Sequence, residues 1–415
     1  MMVSGSRVAD HGAARPGHRG GRSGRAGESS PALDVDALLD DRGTRIIVCC
    51  GAGGVGKTTT AAALGLRAAE RGRRAVVLTI DPARRLAQSL GLAELDNSPR
   101  VVPGVDRSSG GSLDAMMLDM KRTFDEVVQA HAKPEKAEQI LANPFYQALS
   151  SSFAGTQEYM AMEKLGQLHD RRDEAGRPFW DLVVVDTPPS RSALDFLDAP
   201  ERLGSFLDGR FIRLMMAPAK AGGRAYLRFV QAGMSATASA LSKILGAQML
   251  HDVQTLVAAL DTVFGGFRER ATHTYALLQD EGTAFVVVAS PERDALREAG
   301  YFIDRLAADG MPLAGVVVNR MARVEVSLSA DAADRAADRL EAVPESDEVR
   351  RLAAALLRLQ AMQDEVTTRQ QAATRHLAEG HPGVPMVQVP SAAVDVHDLG
   401  ALRRIGVDLA AGAGA

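Results

Sequence analysis

The chain has 415 residues, 46% of them hydrophobic and 24% charged, with a formal net charge of -4. This is an ordinary globular composition with enough apolar material for a core, and its charge balance argues against a bulk nucleic-acid binder. No apolar run reaches bilayer-spanning length. The two cysteines, Cys49 and Cys50, are adjacent, which leaves no CxxC zinc staple and suggests two small buried residues that face opposite sides of a strand.

In chain order, residues 1–32 read as a disordered leader. Residues 1–30 are rich in Gly, Arg, Ser and His and lack the apolar core of a signal peptide, so a cytoplasmic location is expected. A single P-loop domain is expected over 33–415. It begins with a short helix at 34–40, a β run at 45–50, a glycine-rich loop, an Ala/Leu-rich helix from Lys57 to about Arg71, and a second β run at 74–80. Strand, helix and strand in that order predict a parallel pairing. Residues 113–177 read as helices and loops, with Met116, Leu118, Met120, Phe124 and Val127 at broadly helical spacing. The run 181–186 (DLVVVD) is apolar almost throughout, as in a strand buried on both faces, and 285–289, 313–318 and 386–389 look alike. Six or so such runs between helical stretches predict an α/β fold, a doubly wound, mainly parallel sheet. Residues 200–280 hold no convincing strand and read as a helical insertion. Residues 328–380 read as a further helical segment broken at Pro344. Trp180 is expected to pack in the core, and His169 and His251 show no metal-ligand spacing.

Between the first β run and the first long helix stands Gly51-Ala52-Gly53-Gly54-Val55-Gly56-Lys57-Thr58, which fits G-x-x-x-x-G-K-[ST]. Glycines let backbone N–H groups turn inward around phosphate oxygens, and the helix opening near Lys57 aims its positive end at the same place. Gly53, Gly54, Val55, Gly56, Lys57, Thr58 and Thr59 are therefore the candidate phosphate-binding residues. Lys57 is expected to reach the β- and γ-phosphates, and the Thr58 hydroxyl to ligate Mg²⁺. Two carboxylates end β runs that face the same crevice: Asp81 in Ile80-Asp81-Pro82-Ala83, and Asp186 in Asp186-Thr187-Pro188-Pro189. Phosphoryl transfer to water needs a metal relay and a group that orients the attacking water. Asp186 suits the first task, holding Mg²⁺ through water, and Asp81 the second. The rival reading of each is a turn or helix cap, since Asp-Pro and Thr-Pro are turn formers.

Taken together, these segments resemble the ArsA/Get group of deviant-Walker P-loop ATPases, over most of the chain. The family's phosphate loop, K-G-G-x-G-K-T, is matched by Ala52-Gly53-Gly54-Val55-Gly56-Lys57-Thr58 except at its first position. Its first switch, T-D-P-A, resembles Ile80-Asp81-Pro82-Ala83, and its second, D-T-A-P-T-G-H-T, resembles Asp186-Thr187-Pro188-Pro189-Ser190-Arg191-Ser192-Ala193. Val317-Val318-Asn319 is similar to the segment that supplies an adenine-contacting Asn, and Val389-Pro390 to one that flanks the adenine. The runs SSSFAGTQEYMAMEKLGQL and DTPPSRSALDFLDAP resemble, more narrowly, actinobacterial anion-transporting ATPases encoded in pairs.

The resemblance implies ATP and ADP as ligands, Mg²⁺ as the metal and a switch ATPase working as a dimer. Three departures qualify it. The family's signature lysine, which reaches across a symmetric dimer, is Ala52 here. The Gly-His pair of the second switch is Arg191-Ser192. The cysteines that sense metalloid or hold zinc in relatives are absent. Ala52 motivates pairing with a sister subunit, with a homodimer as the other arrangement. It also motivates a rival reading, a non-catalytic ATP-binding clamp in a heterodimer. The Met- and Leu-rich insertion is expected to pack as core, against the alternative of an apolar groove for a hydrophobic protein client.

Overall fold

The computed structural model describes residues 30–81, 83–144, 146–147, 150, 156–188, 269–323, 326–343 and 347–412. Eight strands form one sheet: β1 (Ile46–Cys50), β2 (Arg74–Thr79), β3 (Arg100–Val101), β4 (Ser112–Met117), β5 (Leu182–Asp186), β6 (Thr283–Ala289), β7 (Leu313–Met321) and β8 (Met386–Pro390). Their spatial order is β3-β4-β2-β5-β1-β6-β7-β8. All neighbours are parallel except the two-residue edge strand β3, which runs antiparallel to β4. This is the doubly wound α/β architecture expected from the apolar runs.

The side-chain period of two divides the core between the sheet's faces. On β1, Ile46, Val48 and Cys50 join one apolar cluster with Phe124, Tyr146, Leu165 and Phe302. Ile47 and Cys49 join the other, with Ala61, Leu64, Leu66 and Leu402. Helices Met120–His131, Thr156–Asp170 and Arg293–Ala308 thus cover one face, and helices Lys57–Glu70 and Leu399–Ala411 the other. Cys49 and Cys50 are free and buried, and burial raises both thiols, Cys50 to about 12, so neither is a ready nucleophile.

Helix Lys57–Glu70 lies close against the sheet because small residues face it. A Cβ on Gly65 would stand 2.5 Å from Val77 Cγ2. Elsewhere side-chain caps start the helices. Asp34 Oδ1 accepts from Ala37 N, and Asp119 Oδ1 from Arg122 N, each at 2.9 Å.

Part of the reading of 113–177 needs correction. Residues 112–117 form β4, paired in register with β2, so Met116 is a strand residue and the helix starts only at Met120. Strand β3 had no counterpart in the sequence reading. Residues 269–279 are helical, but the rest of the expected insertion, with Arg191, Ser192 and His251, lies outside the described residues. Within 328–380 stand helices Ala330–Glu341 and Glu348–Gly380. Trp180 is buried and donates from Nε1 to Asp114 Oδ2 at 2.7 Å. No helix among the described residues is long and apolar enough to cross a membrane.

Candidate functional site

β1 lies between β5 and β6, while the chain leaves it for β2 on the far side of β5. Its C-terminal end is therefore a point where the connections diverge, the place where open α/β sheets form a ligand crevice. The loop there needs glycine. Gly51, Gly54 and Gly56 hold φ of 143°, 78° and 99°. A Cβ on Gly51 would meet the Val288 carbonyl oxygen at 2.0 Å, and one on Gly56 would meet Asn319 Nδ2 at 2.2 Å. Gly56 directly precedes the helix at Lys57, so the helix opens on the loop.

Below the loop lies a cavity of about 330 Å³, lined among the described residues by Gly54, Gly56, Lys57, Thr58, Thr59, Asp81, Arg85, Thr187 and Arg320. The Lys57 ammonium is buried and donates to the carbonyls of Gly51 at 3.0 Å and Ala52 at 2.8 Å. Burial lowers its pKa, opposed by the charges of Asp186 and Asp81. Asp186, on the neighbouring strand, is fully buried, and its Oδ2 accepts from Thr58 Oγ1 and from Thr79 Oγ1, both at 2.8 Å. Burial pushes its carboxyl up to about 6, against the two hydroxyl bonds and the Lys57 charge. Its Oδ1 is buried and has no hydrogen-bond partner among the described residues. An orphaned buried carboxylate oxygen is costly unless a ligand or water meets it.

Asp81 is a turn former that also faces the cavity. Its Oδ1 accepts from Ala83 N at 3.0 Å, as a turn former does, and it also lines the cavity. Asn319 flanks the loop: its Nδ2 donates to the Val55 carbonyl at 2.9 Å. Pro390 ends β8 opposite Met321 and is not part of the cavity lining. Ala52 is buried, and no side-chain cation extends from that position.

Four participants escaped the sequence reading. Thr187 follows β5, one pairing step from β1, and Thr79 ends β2, two steps away. Thr187 Oγ1 donates to the Cys49 carbonyl at 2.9 Å and so ties the end of β5 to β1. Arg85 and Arg320 bring two guanidinium groups to the cavity. Thr79, which precedes Ile80-Asp81, had a sequence signal in its place at the end of an apolar run, whereas the arginines had none.

The sheet order, the glycine loop and the helix opening at Lys57 define a P-loop NTPase fold. Residues 44–335 match the anion-transporting ATPase (ArsA ATPase) family, and the chain belongs to that family. Membership implies nucleotide binding. Relatives include the ATPase GET3 of Podospora anserina, 26% identical over 291 residues, which span 69% of this chain and 76% of that one. An ATPase ASNA1 homolog of Entamoeba histolytica is 26% identical over 181 residues, 43% of this chain and 53% of its own. A Mycobacterium bovis protein is 26% identical over 168 residues, 40% of this chain and 49% of its own.

Proposed function

We propose that this chain binds Mg-ATP and hydrolyses it to ADP as a switch ATPase, in a dimer with a sister subunit. The observation that carries this reading is the contact of Thr58 Oγ1 with a buried Asp186 whose second oxygen has no partner among the described residues. A hydroxyl and one carboxylate at a phosphate loop fit Mg²⁺, which takes few protein ligands and completes its shell with water and substrate phosphates. Thr58 would hold the ion directly and Asp186 through water. Bound there, Mg²⁺ supplies charge neutralisation on the β- and γ-phosphate oxygens.

The chain's own residues supply the rest. The loop from Gly53 to Thr59 surrounds the phosphates. Lys57, already inside the cavity wall, exchanges the carbonyls of Gly51 and Ala52 for phosphate oxygens. The Asp81 carboxylate keeps one oxygen on its own turn and turns the other to the attacking water. Asn319 braces the loop through Val55 while its amide flanks the nucleotide's adenine end, with Pro390 beyond it.

A partner is favoured by Ala52, which offers no charge across an interface. It is also favoured by an exposed apolar stripe on helix Glu348–Gly380, where Leu352, Leu356 and Leu359 recur at spacings of 4 and 3. Ala52 equally favours the second reading, a clamp subunit that binds ATP and leaves hydrolysis to its partner. Steady-state ATP turnover by the isolated chain separates the two, with Lys57→Ala as the blank and Asp81→Asn as the control. Turnover above the blank that Asp81→Asn lowers by about 10²-fold or more supports catalysis. Tight ATP binding without turnover supports the clamp. Absence of ATP binding would sink both.

A further inference from the structure

Arg320 is the only non-glycine among the described residues in the left-handed region, with φ of 62°. That conformation is unfavourable for a side chain bearing a Cβ, and residues held in it cluster where a structure needs a group re-aimed. The cause lies in the pairing of β7 with β8. Val318 is opposite Gln388 and Met321 opposite Pro390, so β7 advances three residues while β8 advances two. One extra residue in a strand is a β-bulge, and it bends the chain locally.

The consequence concerns two adjacent side chains. In a regular strand Asn319 and Arg320 would face opposite sides of the sheet. With the bulge, Asn319 donates to the Val55 carbonyl of the phosphate loop, and Arg320 lines the cavity with Gly54, Gly56 and Lys57. Arg320 is exposed, and its guanidinium makes no hydrogen bond or ion pair with any described residue. By contrast, Arg67 and Arg71, at the far end of helix Lys57–Glu70, each pair with an aspartate. A strained backbone position thus coincides with a cation that has no partner among the described residues, in the lining of the glycine-loop cavity.

We infer that the β7 bulge positions Arg320 to bond the polyphosphate of the bound nucleotide, making it a charge donor from within the same chain. The inference rests on the ATP-binding reading above and adds a residue to it. Guanidinium suits this task, because its planar fork meets phosphate oxygens in pairs and it stays charged at any working pH. Arg85, the other arginine of the lining, follows β2, which lies on the other side of β1 from β7.

The test measures Mg-ATP affinity by calorimetry at low and high salt, turnover, and thermal stability, on the full chain and on Arg320→Gly, Arg320→Gln and Arg320→Lys, with Lys57→Ala as reference. Arg320→Gly suits the left-handed backbone, so its Tm is expected at or above that of the parent chain. Its ATP affinity or turnover is expected to fall about tenfold to a hundredfold, the range of a charged hydrogen bond, with a shallower salt dependence. Arg320→Gln should lose as much without the gain in Tm, and Arg320→Lys should recover part. ATP binding and turnover within about twofold of the parent in Arg320→Gly and Arg320→Gln, while Lys57→Ala is inactive, would overturn the role of Arg320 and leave the phosphate loop standing. Loss in Arg320→Gly with a lowered Tm and full function in Arg320→Gln would make the residue structural, which also overturns it. No ATP binding by the parent chain would remove the ATP-binding reading, and the inference with it.

Discussion

At the N-terminal ends of the parallel strands, the Arg73 guanidinium is 1% exposed and donates to the carbonyls of Leu39, Asp41, Thr44 and Asp181 and to Asp181 Oδ1, at 2.6–2.9 Å. Those bonds use all of its N–H groups. At the C-terminal ends of the same strands, Asp186 is equally buried but, among the described residues, keeps one oxygen without a partner, and Lys57 donates to loop carbonyls. The first site is complete by itself and pins the starts of β2 and β5 to the segment before β1. The second is left incomplete, and its carboxyl is pushed up to about 6 by burial. Equal burial of charge is therefore satisfied internally at one end and leaves capacity for a ligand at the other, and what separates them is whether the hydrogen-bonding capacity is already filled.

The largest expected effect breaks the complete site. Arg73→Ala leaves Asp181 and three further carbonyls without their donor and should lower stability by about 3–5 kcal/mol in urea unfolding. ATP affinity of the folded fraction should stay unchanged. The incomplete site should show itself through pH. A carboxyl raised from 3.8 to about 6 in the folded chain takes up protons on folding between those values. Its contribution is thus favourable at low pH and is lost as pH rises from about 4 to about 6, amounting to roughly 3 kcal/mol. Asp186→Asn should flatten that slope when unfolding is compared at pH 4.5 and 7. Filling the site should narrow the difference between the two ends. Mg-ATP at a hundred times its Kd is expected to stabilise the chain by about 2.7 kcal/mol, and Lys57→Ala should abolish that gain. The smallest effect is the strain at Arg320, whose replacement by glycine should raise stability by about 1 kcal/mol without ligand.

Much of the candidate site was legible because its chemistry is local in sequence. The phosphate loop is one contiguous segment, and Asp186 ends a near-continuous apolar run of the kind that suits a strand buried on both faces. Strand β4 was not legible. Its sequence, SLDAMM, contains no β-branched residue and so carries little strand signal. It is a strand because β2 pairs with it over six residues and both faces of the sheet have apolar layers to receive Leu113, Ala115 and Met116. Strand β3, at two residues, is too short to show any period.

The sequence by itself determined the α/β alternation, the place of the phosphate loop and the two carboxylates, since each depends on neighbours a few residues away. Tertiary structure alone decided that Thr79 and Thr58 would share one oxygen of Asp186, that Asn319 would brace Val55, and that Arg320 would turn into the cavity. Those outcomes depend on strand register, and register is set by pairing between segments far apart in the chain. The single extra residue in β7, visible only against β8, reverses the side on which the period of two would have placed a guanidinium.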